Sequence, residues 1–331
     1  MFGNAIRPSG KGDMGMKSKV YFTSELTPES VVKMYKALGK ELEGKVAVKV
    51  HSGEKGNFNF LGPEFWKPII DEVGGRVVET NTAYGDRFVG VRDHTDSHRK
   101  LLEEHGWSRY FDVDLMDEEG PDHVFELPDG HILKKNLVGK HILNYDSMLV
   151  LAHFKGHPNG GYGGALKQLA IGCASSAGKA LIHSAGRSDD RIAAWDMHGD
   201  NTQFPECMAD AATTIVRHFC GNMAFINVMK NLSIDCDCVA APEKPCMKDI
   251  GMLSSLDPVA IDQACIDLVM NSDDPGKEHF MARVNELNGI HTIEAAAEHG
   301  IGSREYELIR LRASKTGASA PFLPVFQSPW L

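Results

Sequence analysis

The chain has 331 residues, 42% of them hydrophobic, with a formal net charge of -10 and a pI near 5.8. That apolar content supports a packed core, and the acidic balance argues against a nucleic-acid groove or an anionic membrane surface, both of which select clustered Lys and Arg. A small molecule is the expected ligand; no run of about 18 apolar residues marks a membrane span and no secretory core opens the chain, so a cytoplasmic location is expected.

Residues 1–17 lack periodicity and read as a loose tail. The strand KVYFT follows, and then Thr27-Pro28, a hydroxyl cap and a first-turn proline, opens the helical stretch PESVVKMYKALGKEL, with Gly44 as its expected end. The alternation continues through strand KVAVKV, helix GPEFWKPIIDEVG, strand RVVET, helix DSHRKLLEEHG and the apolar strand DSMLVLAH. This predicts an α/β fold, a mostly parallel sheet layered with helices, with the site between two lobes as one arrangement. One domain over 18–315 is expected, and the Pro-bearing segment 316–331 is expected to pack on the body or on a partner subunit. Three polar, Gly-bearing loops follow strand ends: HSGEKGNFNF, NTAYGDRFVGVRD and HFKGHPNGGYGG. In open α/β sheets that edge is where ligands bind.

The third loop carries the densest chemistry. Gly160, Gly161, Gly163 and Gly164 permit tight turns and close approach to a ligand, and the helix ALKQLAIG begins just after them, so its backbone N–H groups are expected to face an anion. The spacing is neither a nucleotide P-loop nor a dinucleotide fingerprint. Lys155 and Lys167 add positive charge, and Lys167 is also a candidate nucleophile or base. His153 and His157 are the candidates for proton transfer.

Seven cysteines in a chain of this length are expected to be reduced thiols. Cys207, Cys220 and Cys265 sit in apolar helical stretches and read as core. Cys236 and Cys238 are two apart. In a straight strand their alpha carbons would stand roughly 6.6 Å apart, which suits a polynuclear cluster, whereas a single zinc needs a turn. Cys173 and Cys246 are the further candidate ligands, with His157. Asp257-Pro258 is a helix cap and first-turn proline; Asp257 and Asp249 are kept as candidate pocket residues on the glycine-loop edge.

The motifs HFKGHPNGGYGGALKQLAIGCASSAGK, CDC, DIGMLSSLDPVAIDQACIDLV and AEHGIGSREYEL, in that order, resemble the domain-of-unknown-function 362 family, from about residue 19 to about residue 311. His157, Gly163, Gly164, Lys167, Cys173, Cys236, Cys238, Asp249 and Asp257 are the positions that match. The resemblance implies an iron–sulfur centre protein without a settled reaction. Many relatives carry a ferredoxin insert with C-x2-C-x2-C-x3-C between the glycine loop and the CDC; this interval holds only Cys207 and Cys220. The run H-x-x-x-G-x-G-G-x-x-K is also similar to a loop of the nickel-pincer lactate racemases, in which the lysine carries the cofactor.

The expectation is therefore a metal- or iron–sulfur-dependent oxidoreductase acting on a small anionic substrate. The cofactor is an iron–sulfur cluster or a single Fe, Zn or Ni ion, held by Cys173, Cys236 and Cys238 with His157 or Cys246 as fourth ligand. An electron-transfer partner and a second copy of the chain are the candidate protein partners. The alternatives are a non-catalytic metal-binding accessory protein and a lysine-dependent isomerase.

Overall fold

The structure is a computed structural model and describes residues 17–84, 88–120 and 122–311. The N-terminal tail expected at 1–17, apart from Lys17, and the C-terminal segment 316–331 lie outside the described residues.

In chain order the elements are β1 (Ser18–Thr23), α1 (Pro28–Ala37), β2 (Val46–Lys49), α2 (Pro63–Val73), β3 (Arg76–Glu79), α3 (Thr95–Glu104), α4 (Trp107–Tyr110), β4 (Asp114–Leu115), β5 (His123–Glu126), β6 (Lys135–Val138), β7 (Ser147–His153), β8 (Lys155–His157), β9 (Gly161–Gly163), α5 (Ala165–Cys173), α6 (Ser176–His183), α7 (Gln203–Phe219), β10 (Met223–Met229), β11 (Gly251–Ser255), α8 (Pro258–Met270), α9 (Lys277–Glu286), α10 (Ile290–Glu298) and β12 (Tyr306–Arg310). As the sequence predicts, Thr27 caps α1 by accepting from the Ser30 amide. The helix stops at Ala37, earlier than Gly44, because Gly39 turns into the left-handed region at φ 63°.

Eight strands form one sheet in the order β12-β1-β11-β10-β7-β2-β3-β4. β11 pairs antiparallel with β1 and β10, and every other pairing in this sheet is parallel, so β11 alone is reversed. The mostly parallel α/β fold read from the alternation is the fold observed. β7 and β10 are buried along their whole length, which explains why they read as unbroken apolar runs instead of alternating ones. Met148 and Val150 of β7 enter the core beneath α5, α7 and α8, while Leu149 and Leu151 enter the core beneath α1 and α2. Both helical layers thus rest on one sheet, and the site lies at the edge of that sheet instead of between two lobes.

The topology places the site. From β2 the chain steps outward through β3 to β4; from β7, which pairs with the opposite side of β2, it steps the other way to β10. The order therefore reverses between β2 and β7, and the loops leaving the carboxyl ends of β2, β3, β7 and β10 flank that switch point, where open α/β sheets bind ligands.

Candidate functional site at the switch point

A cavity of about 670 Å³ opens at this edge. Its wall includes Lys49 and His51 from the end of β2, Tyr84 and Arg92 from the loop after β3, His157 from β8, Lys167 from α5, Lys179 and His183 from α6, and Cys238. Loops that follow strand ends supply much of this wall, but most of these side chains carry no motif that the sequence reading could single out.

The floor is a buried charge network. Lys49 Nζ bonds Glu79 at 2.7 Å, and Glu79 also accepts from the Ser52 amide at 2.9 Å. Arg92 bonds Glu54 at 3.1 Å and faces Glu79 at 3.6 Å. Burial opposes ionisation of Glu79, but Lys49 and Arg92 outweigh it and hold the carboxyl well below the usual range. Two acids neutralise Lys49 and Arg92 here, whereas Lys167 and Lys179 face the cavity with no carboxylate paired to them among the described residues. The cavity is positively biased inside an acidic protein, which favours an anionic ligand.

The cysteine pair sits in a turn and not in a strand. The amide of Val239 donates to the Cys236 carbonyl at 2.9 Å, closing a β-turn around Asp237-Cys238. The turn brings both sulfurs and one ring nitrogen of His157 within 4.8 Å of one another. The loop after β2 braces it: the Glu54 amide donates to the Asp237 carbonyl at 2.8 Å, and Asn57 Nδ2 to the Val239 carbonyl at 2.8 Å. Gly156 of β8 lies so close to the Ile234 carbonyl that a Cβ there would stand 2.3 Å from its oxygen, so only glycine lets the hairpin pack under this loop.

Between the two cysteines, Asp237 is the residue the sequence reading passed over. Its carboxylate bonds Lys155 Nζ at 2.7 Å and His153 Nδ1 at 2.9 Å, all three side chains being buried. Burial opposes ionisation of Asp237, and His153 and Lys155 override it. The other nitrogen of His153 faces the Lys230 carbonyl at 2.5 Å. His153 and Lys155, expected as proton carrier and anion binder, therefore clamp the CDC turn from beneath; neither lines the cavity.

Lys167 Nζ lies 3.6 Å from Cys236 Sγ. Burial opposes ionisation of Cys236, but the hydrogen bond from Cys238 and the ammonium groups of Lys167 and Lys155 outweigh it and put the thiol well below its ordinary value. The same bond to Cys236, with burial, pushes the Cys238 thiol up. His157 Nδ1 accepts from the amides of Gly160 at 2.9 Å and Asn159 at 3.2 Å. An amide only donates, so the ring proton sits on Nε2, which faces Cys238 Sγ at 3.9 Å. Burial and then Lys167 keep this imidazole neutral. As placed, the Nε2–H of His157 faces the Cys238 sulfur, and the lone pair of Nδ1 is taken by the two amides.

Cys173 does not join the pair. It ends α5, six residues and therefore about 9 Å along the helix from Lys167, with its Sγ 3.9 Å from Met148 Sδ in the core. Burial pushes its thiol up to about 11. Cys246 is also elsewhere, its Sγ donating to the Leu232 carbonyl at 3.3 Å. Cys207 and Cys265 are buried as expected, but Cys220 is exposed, because it ends α7 in the left-handed conformation at φ 48°.

The glycine loop forms the β8–β9 hairpin, and the anion at the start of α5 is the protein's own. Asp262 of α8 accepts from the amides of Ala165 at 2.8 Å and Leu166 at 3.0 Å, and a Cβ on Gly164 would stand 2.5 Å from its oxygen. None of Gly160, Gly161, Gly163 and Gly164 lines the cavity. Asp257 caps α8 by accepting from the Val259 and Ala260 amides and also binds Ser18 and the Ser303 amide. It sits on the far edge of the sheet, since β11 runs backwards. Asp249 is spent on the Asn231 amide at 2.8 Å.

The donor set can now be tested against the expected cofactors. A cysteine-ligated cluster does not fit, because Cys236 and Cys238 are the only thiols that meet here among the described residues. A single soft ion does fit the turn: two sulfurs this close, one already biased towards thiolate, match adjacent positions of a tetrahedral ion.

Among curated proteins, none matches this chain. Two solved structures are distant likenesses. One is the lactate racemase apoprotein from Thermoanaerobacterium thermosaccharolyticum, at 15% identity and a TM-score of 0.36, over 66% of this chain and 52% of that one. The other is a Thermotoga maritima protein at 12% identity and a TM-score of 0.35, over 82% of this chain and 58% of that one. The chain thus spans little more than half the length of either. Residues 46–267, well over half the chain and including the glycine hairpin and the cysteine turn, match the family model described as domain of unknown function (DUF362), and the chain belongs to that family.

Proposed function

We propose that this protein is an oxidoreductase in which Cys236 and Cys238 hold one soft transition-metal ion at the wall of the cavity, and that the cavity takes a small organic anion beside it. The observation that carries this reading is the convergence of two sulfurs and the Lys167 ammonium, with Cys238 and Lys167 lining a cavity whose cations exceed its acids and Cys236 buried just behind them. An ion there would supply an electrophilic or redox centre with positions left open for ligands other than protein. Lys167 would hold the thiolate and orient the anion. His51 and His157, both neutral because burial and the surrounding cations disfavour their charged forms, are the groups able to move a proton.

Anaerobic purification followed by assay of iron, zinc, nickel and acid-labile sulfide tests the reading. About one ion per chain, no sulfide, and loss of the ion in Cys236→Ser and Cys238→Ser are expected. Protein free of metal, or metal retained in both variants, overturns it. The place of Lys167 on the cavity wall, with no carboxylate paired to it among the described residues, favours a second reading, a metal-free isomerase that uses Lys167 covalently. Colourless protein trapped at Lys167 by borohydride in the presence of pyruvate would favour that reading over the first.

A further inference from the structure

Lys179 is a buried cation with no carboxylate hydrogen-bonded to it among the described residues. Its side chain lies on α6 against the cavity and its ammonium bonds two neutral oxygens, Thr80 Oγ1 and the Ala174 carbonyl, each at 2.6 Å. An ammonium has three donors, so one is left over. The nearby acids act on it only through space, since Asp117 accepts from the amides of Asn81 and Ser176 and Glu79 from Lys49 and Ser52, and burial still lowers the ammonium to about 8. A charge taken out of water without an opposite charge bonded directly to it is costly, and an incoming anion on the spare donor would relieve that cost.

Four residues on, and so about 6 Å further along the same face of α6, stands an aromatic wall. The ring of His183 stacks on Phe204 at 4.6 Å and 20° and meets Trp195 at 4.6 Å. Trp195 in turn meets Phe88 edge-on at 5.0 Å, and its indole N–H is fixed by the Ala83 carbonyl at 3.0 Å. His183, Trp195 and Phe88 all line the cavity.

Resting on the reading that the cavity takes a small organic anion, we propose that the anion is an aromatic carboxylate, its carboxylate paired with Lys179 and its ring held against Trp195 and His183. One spare ammonium donor suits a single carboxylate. A phosphate would call for several donors, and of the other cavity cations Arg92 and Lys49 are bound to Glu54 and Glu79 while Lys167 lies against the Cys236 sulfur. The ring fits because aromatic faces and edges prefer other aromatic groups, and the cavity volume leaves room for a bicyclic ligand.

Calorimetric titration of the full chain with 2-naphthoate tests this, with cyclohexanecarboxylate and inorganic phosphate as comparisons. Naphthoate is expected to bind at least about tenfold more tightly than either, and Lys179→Met and Trp195→Leu each to weaken it by about tenfold. Circular dichroism checks that the variants fold, and Trp195→Leu carries the test if Lys179→Met does not. The proposal is overturned if naphthoate fails to bind, if phosphate binds as well, or if the folded variants bind naphthoate unchanged. Metal content measured on the same preparations separates the two proposals. Naphthoate bound to metal-free protein defeats the ion alone, and metal present without naphthoate binding defeats the aromatic carboxylate alone.

Discussion

Asp237 sits between two cysteines and serves both, since its carboxylate is the post to which His153 and Lys155 tie the turn. Replacing it by Asn would leave Lys155 and His153 facing a neutral group in a buried place. The expected cost is about 3 kcal/mol of stability, the usual penalty for breaking a buried charge pair, with loss of bound metal alongside, measurable by denaturant unfolding and metal assay. Lys167 acts differently. Lys167→Met removes the ammonium nearest Cys236, so in chelator-treated protein the pH midpoint for alkylation of Cys236 by iodoacetamide should move up. An unmoved midpoint would mean that Lys155 and the Cys238 hydrogen bond alone keep the thiol low. Cys173 provides the contrast: Cys173→Ala should leave metal content untouched and cost only the packing of one buried sulfur, about 1 kcal/mol.

At the scale of elements, α5 shows how a sequence signal can be placed correctly and explained wrongly. The glycines before it do mark a helix start, and Lys167 does reach the cavity from its first turn. The anion at that start is Asp262, whose carboxyl burial raises to about 6 and which also accepts from Asn227 at 2.7 Å and Tyr162 at 3.1 Å. Asp262→Ala would orphan two buried amides and an Asn donor. A loss of about 3 kcal/mol is expected, with the urea midpoint lowered at unchanged slope, and a smaller loss in Asp262→Asn, which keeps one accepting oxygen. An acidic residue in the largely apolar run VAIDQAC was the visible clue. Its partner, about a hundred positions earlier, was not visible.

At the scale of the molecule, several imidazoles are buried and neutral. His98 is lowered to about 3 by burial, opposed by Glu79, and His51, His157 and His183 are lowered in the same sense. Because the unfolded chain takes up these protons near pH 6.5 and the folded chain does not, stability is complete above that pH and is lost as pH falls towards the folded values. His98 alone should cost about 2 kcal/mol by pH 5. Asp262, raised to about 6, works against this together with Asp117 and Asp257, which burial also raises, but three acids face four imidazoles, of which His51, His157 and His183 are lowered strongly. Melting temperature should therefore fall between pH 7 and pH 5, with a shallower fall in His98→Asn. A melting temperature that rises over that range would contradict the neutral assignments.

Much of the strand–helix alternation up to β7 and the mostly parallel sheet were legible in the sequence, because they follow from local periodicity, caps and glycines that act within a few residues. Lys167, His157 and the CDC pair were legible for the same reason: each lies inside a short, compositionally unusual run. What only the tertiary structure decided was pairing across long separations. The reversal of β11 sent Asp257 to the far edge, the helical rise of α5 carried Cys173 away from the other thiols, and Asp262 filled the helix start that composition alone assigned to a ligand. It also brought Lys49, Glu79, Arg92 and Lys179 together from two strands, a loop and a helix. Their charges have meaning only in the low-dielectric space they enclose, and no local pattern records who faces whom there.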